Sequence, residues 1–175
     1  MTSLFEPTQI AGLPLKNRIV LAPLTRSRCD VMGVPRPFVA EYYAQRAGAG
    51  LLISEGVQTS FAGQGYARTG GIHTAEQIAA WQRVTAAVHA RGAKMFMQLM
   101  HTGRIGHALN LPAGARVLAP SAVAAAGEMY TDAEGMKPNA VPQDMTGADI
   151  KAAIGEFVQA AQNAVAAGCD GVELH

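Results

Sequence analysis

The chain has 175 residues, 49% of them hydrophobic, which is enough apolar material for one globular core and excludes a disordered polymer. Net charge is +1 with no block of like charges, so there is no electrostatic footprint for nucleic acid or an anionic membrane, and small-molecule partners are favoured. No run approaches about 18 uninterrupted apolar residues, and the opening MTSLFEPTQI carries an acid and a proline, so neither a membrane span nor a secretory signal is expected and the expected location is cytoplasmic.

In chain order, FEPTQIAGLPLKNRIV places Gly12 and Pro14 between two apolar patches and predicts a hairpin or plug. A first strand is predicted over residues 18–26 (RIVLAPLTR), a second over 51–58 (LLISEGVQ), a third over 94–101 (KMFMQLMH) and a fourth over 170–175 (DGVELH). Their near-continuous hydrophobicity suits strands buried on both faces of a parallel sheet. Helices lie between them. Thr74 opens T-A-E-Q and Thr146 opens T-G-A-D, where a hydroxyl caps free N–H groups of the first turn and a polar side chain three residues on replies. Gly92 and Gly168 stand where a left-handed residue closes each helix. Residues 102–145 are rich in Pro, Gly and Ala and too long for an ordinary connector, which predicts a lid or binding loop.

The alternation of strands and helices fits either an open doubly wound sheet or a barrel. The first strand-to-helix turn, PLTRSRCD, has neither GxGxxG nor GxxxxGK[ST]. Instead the strands end in polar residues: Thr25 and Arg26, Glu55 and Gly56, Gln98 and His101, Glu173 and His175. In a (β/α)8 barrel such ends converge on one site, so the expected fold is a barrel of which residues 1–175 supply the first four βα units. Four strands are half of eight, and two unpaired parallel edges invite a second chain.

Among individual residues, Thr25 has the parity of Leu21 and Pro23, Gln98 that of Phe96 and Met100, and His175 that of Gly171 and Glu173. A buried amide such as Gln98 needs partners, either neighbouring backbone or a flat heteroaromatic carrying carbonyls and N–H groups. His101 and Arg104, just past the third strand, either meet an anionic ligand or pair with a carboxylate. Tyr66 lines a pocket or packs beneath its loop, and Trp81 falls on an apolar helical face with Ile78 and Val84. Cys29 and Cys169 are far apart and without a CxxC, so idle thiols are expected. No histidine pair has metal-ligand spacing, and no metal is expected.

The succession LFEPTQIAGLPLKNRIVLAPLTRSR, AEYYAQRAGAGLLISEG, GQGYARTGGI, AVHARGAKMFMQLMHTGR, APSAV and AAGCDGVELH resembles the old yellow enzyme family of FMN-dependent ene-reductases. The resemblance runs through essentially the whole chain. It implies a TIM-barrel flavoprotein in which NAD(P)H reduces FMN and hydride passes to an activated alkene such as an enone, maleimide or nitroalkene. By position it implies that Pro23, Leu24 and Thr25 lie along the flavin, with the Thr25 hydroxyl on the ring's O4 edge. Gly56 then lets backbone approach the ring, Gln98 pairs with its pyrimidine edge, and His175 hydrogen-bonds the substrate's carbonyl or nitro oxygen. Gly70 stands where relatives commonly have proline.

The family's HGAN-like continuation, proton-donor tyrosine, later basic residue and phosphate-binding loops have no counterpart here. The expectation is therefore a piece of an ene-reductase, active only with a complementary C-terminal half-barrel polypeptide. The alternative is a non-catalytic half-barrel that self-associates as a homo-oligomer with weak or no flavin binding.

Overall fold

The computed structural model describes residues 3–175; Met1 and Thr2 of the opening segment lie outside them. The predicted hairpin is present as β1 (Thr8–Ile10) paired antiparallel with β2 (Leu13–Leu15). The main sheet is built from β3 (Val20–Leu21), β4 (Leu51–Gln58), β5 (Lys94–Met100) and β10 (Gly171–Leu174). It contains only parallel pairs, in the order β10-β5-β4-β3. Neighbours in space are neighbours in sequence, with no reversal of strand order. That excludes the crevice of a doubly wound sheet.

Three helices connect these strands: α1 (Pro37–Ala44), α2 (Ala75–His89) and α3 (Gly147–Ala166). They share one core. Val39 and Tyr43 of α1, Trp81, Val84 and Val88 of α2, and Ala160 and Ala164 of α3 pack with Leu52, Val57, Met95, Met97 and Leu99 of the sheet. Phe96, Gln98 and Met100 alternate with that set and face the opposite side. Helices on one face and a consecutive parallel sheet are the layers of a partial (β/α)8 barrel.

Helix ends follow the local chemistry read in the sequence. The Thr74 Oγ accepts the Gln77 N–H at 3.2 Å while the Thr74 N–H donates to Gln77 Oε1 at 3.0 Å. Thr146 and Asp149 form the same reciprocal pair at 3.1 and 2.8 Å. α1 has no side-chain cap and begins instead on Pro37, whose missing N–H is no loss in a first turn. Gly92 and Gly168 take φ of +74° and +87°, a region open to them because they lack a Cβ.

Two predicted spans change. The first strand is much shorter than residues 18–26: its ladder covers only Val20–Leu21, because Ala22–Ser27 leaves the sheet in an irregular course that ends with Ser27 at φ +50°. Strand parity therefore says nothing about Thr25. The 102–145 stretch is not structureless. It holds a 3-10 turn over Ala108–Asn110, a short parallel pair of β6 (Leu118–Ala119) with β9 (Gln143–Asp144), and a hairpin of β7 (Glu128–Thr131) with β8 (Gly135–Pro138).

Trp81 is a core residue, fully buried, with its indole N–H on the Gly71 carbonyl at 3.0 Å. Gly70 lies against it: a Cβ there would stand 3.1 Å from the Trp81 ring and 3.3 Å from Cys29 Sγ. Trp81→Ala is expected to cost about 3–5 kcal/mol in denaturant unfolding.

Asp170 ties β10 to β5. Its carboxylate accepts from the Met95 N–H at 2.9 Å and Lys94 Nζ at 3.0 Å, and lies 2.7 Å from His89 Nε2. Burial pushes its pKa up, but these partners outweigh burial and hold it below the ordinary carboxylate range. A depressed folded-state pKa gives stability that is present above the unfolded value, about 3.9, and lost as pH falls through the folded one. Asp170→Ala is expected to lower unfolding free energy by about 1–3 kcal/mol at neutral pH. The gap from the parent should narrow below about pH 4 in urea titrations.

Candidate active site

The site is built around an irregularity in β4. Ile53 pairs with Phe96 and Gly56 with Gln98, so three steps along β4 match two along β5. This is a bulge with one extra residue. A bulge orphans backbone N–H groups, and here side chains take them up. The Gln98 N–H donates to Ser54 Oγ at 3.0 Å, and the Glu55 N–H donates to the Tyr43 hydroxyl at 2.8 Å.

The extra residue resets the alternation. Ile53 and Gly56 both face away from the helices, while Leu52 and Val57 both enter the core. Gly56 is thereby placed beside the Gln98 side chain. A Cβ on Gly56 would stand 3.3 Å from Gln98 Oε1 and 2.8 to 2.9 Å from the Met100 thioether. The missing side chain thus makes room first for Met100 and the Gln98 carboxamide.

Across the sheet, Gly171 and Glu173 pair with Phe96 and Gln98, and the His175 N–H donates to the Leu99 carbonyl at 3.0 Å. Gln98, Glu173 and His175 accordingly share a face, as parity predicts. Gln98 Nε2 donates to Glu173 Oε1 at 3.0 Å and lies 3.5 Å from His175 Nδ1. A carboxylate only accepts, so Glu173 sets the orientation of the amide. The Gln98 Nε2 thus faces both Glu173 and His175, and Oε1 is the atom left for a ligand. Gln98 is 6% exposed, which limits the rotamer freedom that a ligand must remove. Glu173 was noted in the sequence only as a strand-end polar residue, because strand spacing gives no distance between side chains on different strands.

The remaining expected residues scatter. Thr25 and Leu24 are exposed and Pro23 half-buried on the irregular stretch after β3. Glu55 does not join Gln98: the bulge turns it toward α1 and the first strand-to-helix loop, where its carboxylate accepts the Arg26 N–H at 3.0 Å. His101, the residue after Met100, lines a separate cleft with Arg116, Asp149 and Glu156. Its Nδ1 accepts the Gly103 N–H at 3.0 Å, and burial pushes its pKa down. Arg104 is exposed. Tyr66 lines a cleft of about 410 Å³ with Ser27, Arg68, Tyr130 and Asn139, under the β7–β8 hairpin. The bulge supports Ser54 and Tyr43 went unnoticed in the sequence, although a glycine inside a strand pattern is itself a bulge signal.

Comparison with known proteins places this arrangement. The chain is 45% identical over 179 aligned residues to the NADP-dependent oxidoreductase lnbE of Aspergillus flavus, covering all of this chain and 45% of that protein. It is 38% identical to a probable flavin mononucleotide-dependent alkene reductase of Leishmania infantum, covering 98% of this chain and 48% of the relative. The chain spans about half the length of the curated relatives it matches. A morphinone reductase variant solved with tetrahydroNAD superimposes with a TM-score of 0.94 at 42% identity, over the whole of this chain and 49% of that one. A half-length, in-register likeness is what four consecutive βα units of a larger barrel should give. Residues 3–175 match the family model throughout, and the chain belongs to the NADH:flavin oxidoreductase / NADH oxidase family.

Proposed function

We propose that this chain forms the flavin-facing half of an NAD(P)H-dependent ene-reductase of the old yellow enzyme type, acting on activated alkenes. The observation that carries the reading is the Gln98–Glu173–His175 cluster beside Gly56, at the C-terminal ends of adjacent parallel strands. Polar groups at that end of a barrel are where its chemistry is placed.

The residues fit FMN on chemical grounds. An isoalloxazine edge alternates carbonyls with N–H, and the Gln98 carboxamide presents an open acceptor in Oε1 beside an Nε2 donor that Glu173 and His175 now share. Gly56, with no Cβ, leaves room beside the Gln98 carboxamide that the flexible Met100 thioether now shares. Thr25 brings an exposed hydroxyl, and Pro23 and Leu24 bring apolar surface, on the stretch that follows β3. When bound, FMN supplies the hydride chemistry, taking two electrons from NAD(P)H and delivering hydride to the alkene's β-carbon.

The chain's own residues bind and orient. Glu173 fixes the Gln98 amide, so that its donor and acceptor do not have to reorganise when a ring binds. His175, exposed at the end of β10, donates to the carbonyl or nitro oxygen of the alkene, where negative charge grows as hydride arrives at the other end. The second oxygen anchor, the proton donor and the phosphate grip are assigned to the other half of the barrel.

Two substitutions in the complete flavoprotein separate these roles. Gln98→Ala is expected to weaken FMN binding by roughly 10- to 100-fold in fluorescence titration, the loss of one or two strong hydrogen bonds. His175→Ala should leave FMN affinity nearly unchanged and weaken an enone-like ligand by about tenfold or more in flavin-absorbance titrations. Unaltered binding in both would sink the assignments.

A further inference from the structure

Glu55 is the most deeply placed acid in the chain that the proposed chemistry leaves unused. It is 1% exposed, and burying a carboxylate is expensive unless something requires it. Its Oε2 accepts the Arg26 N–H at 3.0 Å, while Oε1 has no hydrogen-bond partner. A small cavity of about 170 Å³ lies against it, lined by Arg26, Arg28, Phe38 and Tyr42. Burial pushes its pKa up, and the backbone N–H groups of Arg26 and Ser27 oppose that rise.

Those two amides belong to the segment that carries Thr25. The Arg26 N–H is half of the Thr25–Arg26 peptide plane, so the bond to Glu55 sets the backbone direction in which Thr25 leaves. Ser27 next to it sits at φ +50°, a left-handed conformation that costs a non-glycine residue free energy and persists only where surroundings impose it. The Arg26 guanidinium also lies 5.3 Å from the centroid of the Tyr42 ring. Glu55 is held in turn by the bulge, with its own N–H on Tyr43.

We propose that Glu55 is a positioning residue, clamping the irregular stretch after β3 through its backbone so that Thr25 is presented at a fixed height to the flavin. The clamp follows from the geometry of this chain, and its consequence for the flavin rests on the reading of Thr25 given above.

The test uses the flavin-loaded protein with Glu55→Ala, Glu55→Gln, Thr25→Ala and the Glu55→Ala/Thr25→Ala pair, reading amide exchange at Arg26 and the flavin midpoint potential. Glu55→Ala is expected to speed Arg26 exchange about tenfold or more. It should shift the potential in the same direction as Thr25→Ala, with no further shift in the double variant. Glu55→Gln keeps an acceptor oxygen and should restore both readouts toward the parent. Unchanged Arg26 exchange in Glu55→Ala overturns the clamp. Faster exchange with an unmoved potential, or a double variant whose shifts add, overturns the coupling to Thr25. A Thr25→Ala variant with the parent's potential overturns the flavin role of Thr25 instead, and Arg26 exchange then decides the clamp alone. Should Glu55→Ala fail to fold, Glu55→Asp keeps the carboxyl group, withdraws it from Arg26 by one methylene, and is expected to give both shifts in smaller degree.

Discussion

One extra residue in β4 decides which side chains meet. A strand alternates strictly, so without the bulge Ile53, Glu55 and Val57 would share a face, and either a carboxylate or a core valine would stand on the wrong side of the sheet. With it, Val57 enters the core, Gly56 comes beside Gln98, and Glu55 leaves the ladder altogether. The irregularity holds because its loose ends are tied. Ser54 and Tyr43 take up the backbone N–H groups that no longer find a carbonyl. An orphaned buried N–H costs about 1–3 kcal/mol, so these two hydroxyls carry a large share of what keeps β4 in this form.

The two faces of the sheet then do different work. One packs against three helices in a single apolar cluster running from Val39 to Cys169. The other carries Phe96, Gln98, Glu173 and His175 and holds the polar groups. Rigidity on the first face benefits the second: Met97 and Leu99, both fully buried, bracket Gln98 in sequence and leave its backbone no room to shift. Asp170 adds the last tie, since its hydrogen bonds to Met95 and Lys94 register β10 on β5. A slip of one residue would turn Glu173 and His175 into the helix layer and bring Val172 to the site.

Much of this was legible in the sequence because the relevant forces are local. The spans 51–58 and 94–101 read correctly to within a residue, since strands buried on both faces are apolar without interruption. The caps at Thr74 and Thr146 and the left-handed Gly92 and Gly168 depend on contacts within four residues. The shared face of Gln98 and His175 also survives, because it needs only parity within each strand and a parallel register. What failed was set by distant partners. The first strand ends early because Glu55, 29 residues on, draws the Arg26 N–H out of line. The fine structure of 102–145 depends on pairings such as Leu118 with Gln143, which no short-range pattern announces.

The same distinction explains why Glu55, a strand-end polar residue in the sequence pattern, stands apart from Gln98. Its position in SEG, between a hydroxyl and a glycine, is compatible with either face, and alternation alone sends it toward Gln98. Tertiary demand reverses this. The Tyr43 ring, fully within the core, can offer its hydroxyl only to a backbone group at the helix-side surface of β4. Once the Glu55 N–H occupies that hydroxyl, its side chain is directed under the loop that follows β3. A single core aromatic thus couples the packing of α1 to the course of the chain around Thr25, and a substitution in the helix layer becomes able to shift that stretch without touching any residue on it.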